Sequence, residues 1–288
     1  MSQAPAETPA GTQADSKKPL LSARDLVQEF VVREVGGARG GIVQAVSNVS
    51  FDIMPGETLG IVGETGSGKS MTAYAIAGLA PGMGARVEGS VKLDGRELLG
   101  LSDHELRDIR GRRIAMIFQA PISSLNPVFR VGDMFLRALR MHGASKPQAR
   151  ERAAAAMRSV ALSPDLLRRY PHELSGGQAQ RVAIALAVAL RAEVLIADEP
   201  TSALDVTVQA EILEVLQKLR AEESLAALFI SHDLAVVSGI CDSVAIMHDG
   251  QVVEQGPIGR TLRHPEHPYT RELLAAVPRL NRPEKPGA

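Results

Sequence analysis

Apolar residues along this chain follow two rhythms. Thr58 to Val62, Arg113 to Phe118, Glu193 to Ala197 and Ala227 to Ile230 are short apolar runs. Strands covered on both faces give that pattern. Leu20 to Phe51 and Val87 to Leu93 also read as strand, and the glycine-rich VGGARGG at Val35 to Gly41 reads as a hairpin loop. Between Pro121 and Glu173 the spacing turns helical, best over Val131 to Met141 and Pro147 to Ala161. Further helices are predicted from Lys69 to about Leu79, from the Leu174–Gln178 turn to about Leu190, from Val206 to Arg220 and from Leu234 to Ile240. Strands alternating with helices predict an α/β fold with a mainly parallel sheet, interrupted by a helical insertion.

The candidate chemistry sits where these runs end. GETGSGKS follows the first buried run, and its residues Gly63, Glu64, Thr65, Gly66, Ser67, Gly68, Lys69 and Ser70 fit the phosphate-binding pattern G-x-x-x-x-G-K-[ST]. Glycines let the chain curl so that successive N–H groups point into one concavity. Lys69 adds a positive charge, Ser70 offers a hard oxygen suited to Mg²⁺, and the helix beginning near Lys69 turns its positive dipole end to the same place. Asp198 and Glu199 stand at the carboxyl end of another buried run, where one carboxylate can hold Mg²⁺ and the next can orient a water. Ser175, in LSGGQ, is a good N-cap, and Gly176 and Gly177 expose N–H groups at a second helix start.

Composition narrows the field. The chain has 288 residues, 45% hydrophobic, enough for a sizeable core. A net charge of −1 gives no support for a polybasic membrane surface or a nucleic-acid partner. With one cysteine, Cys241, neither a disulfide nor a cysteine metal cluster forms within the chain, which suits a reducing compartment. No apolar run is long enough to span a bilayer, and residues 1–19 read as a disordered tail without a signal-peptide core.

LSGGQ at Leu174 to Gln178, joined to the phosphate loop and the acidic strand end, resembles the signature of ATP-binding-cassette (ABC) ATPases. The resemblance runs from Leu20 to Pro278 and implies a P-loop, RecA-like α/β core. An antiparallel β subdomain and a helical subdomain inserted at about 120–175 accompany that core, with the ATPase domain over 20–262 and a short extension over 263–288. It implies ATP and Mg²⁺ as cofactors. By family order Gln119 matches the Q-loop that senses Mg²⁺ and nucleotide, Ser175 to Gln178 the signature, Asp205 the D-loop across the dimer interface, and His232 the switch histidine at the γ-phosphate. The catalytic set is Glu199, His232 and Lys69, the metal set Ser70, Gln119 and Asp198. Phe30 either stacks on adenine or fills the core. Two such domains close head to tail over two ATP molecules in this family.

The segments QAPISSLNPVF, GQVVEQGP and HPEHPYTRELLAAVP further resemble the ATPase subunits of bacterial oligopeptide, dipeptide and nickel importers, specifically the first-type subunit. Some members carry a cysteine-rich iron–sulfur extension, which is not expected here. The resemblance implies two integral-membrane permeases, a second ATPase subunit of a different or the same kind, and an extracytoplasmic solute-binding protein acting through the permeases. It implies a peripheral position on the cytoplasmic face of the inner membrane and a solute that is a peptide, or else nickel or another small solute. Two other readings stay open: a soluble ABC ATPase acting on nucleic acid, and a non-hydrolytic ATP-binding scaffold.

Overall fold

The structure is a computed structural model, and it describes residues 18–32, 41–202, 204–223 and 225–276. Most of the N-terminal tail and of the Val35–Gly41 loop lies outside these residues, as do Ala203 of the SALD segment and the end of the C-terminal extension.

Two sheets carry the fold. The strands are β1 (Leu21–Val32), β2 (Gly41–Ile53), β3 (Thr58–Val62), β4 (Ala85–Leu93), β5 (Arg96–Glu97), β6 (Ile114–Ile117), β7 (Val194–Asp198), β8 (Ala226–Ser231), β9 (Ser243–His248) and β10 (Gln251–Pro257). The helices are α1 (Lys69–Ile76), α2 (Asp103–Ile109), α3 (Pro121–Ser124), α4 (Val131–Met141), α5 (Lys146–Ser159), α6 (Gly176–Leu190), α7 (Val206–Glu223), α8 (Leu234–Ile240), α9 (Ile258–Arg263) and α10 (Pro268–Ala276). The larger sheet has the order β10-β9-β3-β8-β7-β6, parallel except for its β9–β10 edge pair. The smaller, β2-β1-β4-β5, is antiparallel.

The strand alternation sorts side chains onto two cores. Val194 and Ile196 of β7 face one way and join Leu26, Phe51, Val91 and Ile76, so the antiparallel sheet and α1 cover that face. Leu195 and Ala197 face the other way and join Phe135, Met157, Ile184 and Ile212 of the helices. Every residue of β3 and β7 is buried, as their unbroken apolar runs predict. Between β6 and α6 the chain makes only helices and turns. Val131, Phe135 and Leu139 form the buried stripe of α4, and Ser145 with Gln148 makes a capping box on α5.

Six elements were not expected from the sequence: β5, α2, β9, β10, α9 and α10. The pairs β4–β5 and β9–β10 are closed by two-residue loops, Asp94–Gly95 and Asp249–Gly250, with positive φ at all four positions. That is the Asp-Gly hairpin signal. Helix α2 starts behind the Ser102–Glu105 capping box. Helix α1 ends at Ile76 rather than near Leu79, because Gly78 takes φ 68° and breaks the ladder.

Packing over β3 is tight. A Cβ on Gly60 would lie 2.4 Å from Val237 Cγ1 and 3.0 Å from Cys241 Sγ, so α8 sits against bare backbone there. Gly60→Ala should cost about 1–3 kcal/mol by overpacking. Pairing it with Val237→Ala should cost less than the sum of the two single changes, as read by urea unfolding. Simple additivity would show that the two positions do not meet.

Candidate active site

Strand order alone assembles the site. β3, β8, β7 and β6 are consecutive parallel neighbours, so their carboxyl ends share one edge of the sheet. Gly63 to Ser70 leaves β3, His232 follows β8, Asp198 ends β7 with Glu199 next, and Gln119 follows β6. The crevice outside those ends is where open α/β sheets bind ligands.

The phosphate loop is shaped by close approach as much as by freedom to turn. A Cβ on Gly63 would lie 2.1 Å from the Met247 carbonyl oxygen, and one on Gly68 (φ 95°) 2.4 Å from that of Ala45. Side chains are excluded at both ends of the loop. Lys69, 5% exposed, donates from Nζ to the carbonyl oxygens of Gly63 at 2.8 Å and Glu64 at 2.6 Å, with Ser67 Oγ at 3.4 Å. Burial pulls its pKa below the usual lysine value, against the opposing pull of Glu199, Asp198 and Glu64. Glu64, Thr65 and Gly66 form the exposed crest of the loop.

Across from it, Ser70 Oγ donates to Asp198 Oδ1 at 2.8 Å. Asp198 is fully buried and its Oδ2 has no hydrogen-bond partner. Burial pushes the Asp198 pKa up, opposed by the Ser70 hydroxyl. A buried carboxylate oxygen left unsatisfied beside a serine hydroxyl is a hard-oxygen donor set that fits Mg²⁺. Among the described residues no three His, Cys, Asp or Glu side chains cluster as a metal cage.

Glu199 stands at the centre. Its backbone takes φ 45°, its N–H donates to the Ile230 carbonyl at 2.9 Å, and its side chain is only 13% exposed. Left-handed backbone at a non-glycine residue costs of order 1 kcal/mol or more and gathers at functional sites. One carboxylate oxygen accepts from Gln119 Nε2 at 2.9 Å, and the other lies 3.3 Å from His232 Nδ1. The structure thus gathers Lys69, Ser70, Asp198, Glu199, Gln119 and His232. Gln119, expected among the metal ligands, spends its amide donor on Glu199.

The remaining candidates lie elsewhere in the chain. Ser175 caps α6, its Oγ accepting from Gln178 N–H while Gln178 Oε1 accepts from Ser175 N–H. A Cβ on Gly177 would lie 2.6 Å from Val208 Cγ1, so α6 and α7 start in contact. Asp205 Oδ1 accepts from Val208 N–H at 3.0 Å and caps α7. Phe30 is half-buried against the core of the antiparallel sheet, opposite Val43 and Ala85. Two tyrosines were missed. Tyr74, whose pKa is raised by burial and by Asp198, shows itself in sequence only as an aromatic in α1. Tyr269 touches the phosphate loop from the far end of the chain.

Residues 46–202 match the family model described as ABC transporter. The oligopeptide transport ATP-binding protein OppD of Escherichia coli (strain K12) is 46% identical over 94% of this chain and 79% of that protein. The chain belongs to the ABC transporter family. The protein of the same name from Haemophilus influenzae is 44% identical over 91% of this chain and 80% of its own length. A dimeric ATP-binding cassette solved in a post-hydrolysis state with ADP and Pi superimposes with TM-score 0.72 at 30% identity, over 83% of this chain and 98% of that one. The cassette cbiO1 from Clostridium perfringens gives TM-score 0.69 at 25% identity, over 91% and 96%. The expected P-loop α/β fold with an antiparallel β subdomain is therefore found, and this ABC chain is an ATPase.

The raised Asp198 pKa has a measurable consequence. A carboxyl whose folded pKa lies above its unfolded value loses stability as pH rises between the two, and the full cost persists above both. Asp198→Asn removes that titration and should stabilise the nucleotide-free ABC chain at neutral pH more than at mildly acidic pH. Urea unfolding at the two pH values checks this, and a gain independent of pH would contradict it.

Proposed function

We propose that this chain hydrolyses ATP to drive peptide import, as the peripheral subunit of a transporter in the bacterial inner membrane. The observation that carries the hydrolytic reading is Glu199, bracketed by Gln119 and His232 on the strand end beside Asp198. Glu199 accepts a proton from the attacking water, while Gln119 and His232 fix the direction of its two oxygens. Lys69 and the loop N–H groups hold the phosphates against the positive end of α1 and stabilise charge that develops on the transferred group. Ser70 and Asp198 would hold Mg²⁺, which supplies further neutralisation of that charge.

A head-to-tail pair supports the use of a second anion-binding helix start. The Gly176 and Gly177 N–H groups open α6, a helix start separate in sequence from the phosphate loop, so ATP joins two subunits and its hydrolysis releases them. Asp205 and its loop then line the seam between subunits, and Phe30 is the adenine-stacking aromatic. The peptide reading rests on relatives named for oligopeptide transport and, in Salmonella typhimurium, for glutathione import. Among the described residues no helix is long and apolar enough to cross a membrane, so permease subunits provide the pore and a solute-binding protein the delivery.

Glu199→Gln keeps the shape and removes the base. It should bind ATP with near wild-type affinity, turn over about a hundredfold or more slowly, and accumulate closed dimers on sizing columns. Wild-type phosphate release from this variant would remove Glu199 from its role. The permease contact is tested at the Gln119–Phe129 segment, where Val128 is 75% exposed and Ile122 45%. Burial pushes the Cys241 thiol up to about 12, so the native cysteine stays inert and Val128→Cys supplies the reactive one. Cross-linking from that position in assembled membranes should capture an integral-membrane protein, and capture of none would count against the docking surface.

A further inference from the structure

Two segments remain without a place in the chemistry, GQVVEQGP at Gly250 to Pro257 and HPEHPYT at His264 to Thr270, and the structure joins them. Glu254 of β10 accepts hydrogen bonds from the N–H groups of Glu266 at 2.9 Å and His267 at 3.0 Å. Arg271 closes the same turn by donating to the carbonyl oxygens of Pro265 at 3.1 Å and Glu266 at 2.9 Å. The start of α10 is thereby held against the sheet edge. From that start Tyr269, 7% exposed, stacks on His248 at the end of β9, with ring centroids 4.0 Å apart. Its hydroxyl oxygen accepts from the Glu64 N–H at 3.2 Å.

The Glu64 N–H and the Gly63 carbonyl belong to one peptide unit. The carbonyl side of that unit accepts from Lys69 Nζ at 2.8 Å. The peptide is therefore gripped at both ends, by the Tyr269 hydroxyl on one side and the Lys69 ammonium on the other. Peptide units are planar and rigid, so fixing the N–H direction fixes the carbonyl direction as well. Gly63 itself is too closely packed on Met247 to carry a side chain that could do the same work.

We propose that Tyr269 is a positioning residue for the phosphate loop. The C-terminal helix clamps the 63–64 peptide, and through it sets where Lys69 waits for the nucleotide. Glu254 is the strut that holds the clamp in place. The inference rests on the phosphate-loop reading of Gly63 to Ser70, and the experiment separates the two.

Tyr269→Phe keeps the ring on His248 and removes only the hydroxyl. In the full-length chain it should weaken binding of a non-hydrolysable ATP analogue about two- to tenfold, the reach of one hydrogen bond. In the assembled transporter it should raise KM for ATP by the same factor with kcat within about twofold of wild type. Exchange of the Glu64 amide should accelerate, while amides of β3 and β8 keep their protection. A merely structural tyrosine would loosen those strands too, or change nothing at Glu64. Wild-type affinity and unchanged Glu64 exchange in Tyr269→Phe overturn the clamp. Lys69→Ala is the control. If it loses nucleotide binding while Tyr269→Phe does not, the clamp alone fails; if Lys69→Ala binds normally, the phosphate-loop reading fails with it.

Discussion

An ammonium group almost removed from water needs oxygen partners, and in this chain Lys69 finds them in its own loop. Leaving such a charge unpaired would cost several kcal/mol. The carbonyl oxygens of Gly63 and Glu64 can reach Nζ only if the chain doubles back within a few residues. Doubling back requires the bare backbone of Gly63 against β9 and the left-handed turn at Gly68. That in turn requires β9 to lie beside β3, with the β9–β10 hairpin closing the sheet behind it. The loop, the sheet order and the packing of the first core thus answer to one buried charge.

The opposite wall is built on the contrary principle. Asp198 is buried with one oxygen unsatisfied and its pKa raised, and Glu199 holds a left-handed backbone conformation. Both features destabilise the nucleotide-free chain. The proposed magnesium nucleotide would relieve the first by supplying positive charge beside Asp198. The strain at Glu199 aims its carboxylate between Gln119 and His232, on the ends of the two strands that flank β7. Gln119 opens the segment that leads into the helical subdomain, so a displacement there moves a direct hydrogen-bond partner of Glu199.

What the sequence made legible follows from what each signal rests on. Buried parallel strands announce themselves because both faces are covered, and β3, β6, β7 and β8 fall within a residue or two of expectation. The phosphate loop and the strand-end carboxylates were legible because their spacing is local. The two Asp-Gly hairpins, at Asp94–Gly95 and Asp249–Gly250, are equally local signals. Tyr269 could not be found in this way. Its contact with Glu64 spans 205 positions, and only the placement of β9, β10 and α10 brings the ends together. Gln119 illustrates a subtler limit, since a family motif names the residue but not the hydrogen bond it makes.

The two helix starts in this chain differ in how much of their anion-binding capacity is already taken. At α1 no side chain caps the helix, while within the loop the Glu64 N–H donates to the Tyr269 hydroxyl and the Ser67 N–H to the Glu64 carbonyl. At α6 the capping box of Ser175 and Gln178 uses the Gln178 and Ser175 N–H groups and leaves those of Gly176 and Gly177. The second site is therefore the weaker anion trap, suited to a terminal phosphate already bound elsewhere. Gly177 packs on Val208, and Asp205 caps the helix that Val208 belongs to, so the start of α6 and the start of α7 form one rigid corner. A shift of the signature turn would therefore be shared with the start of α7. In the proposed head-to-tail pair, that corner would join the neighbour's phosphate to the chain segment that follows β7.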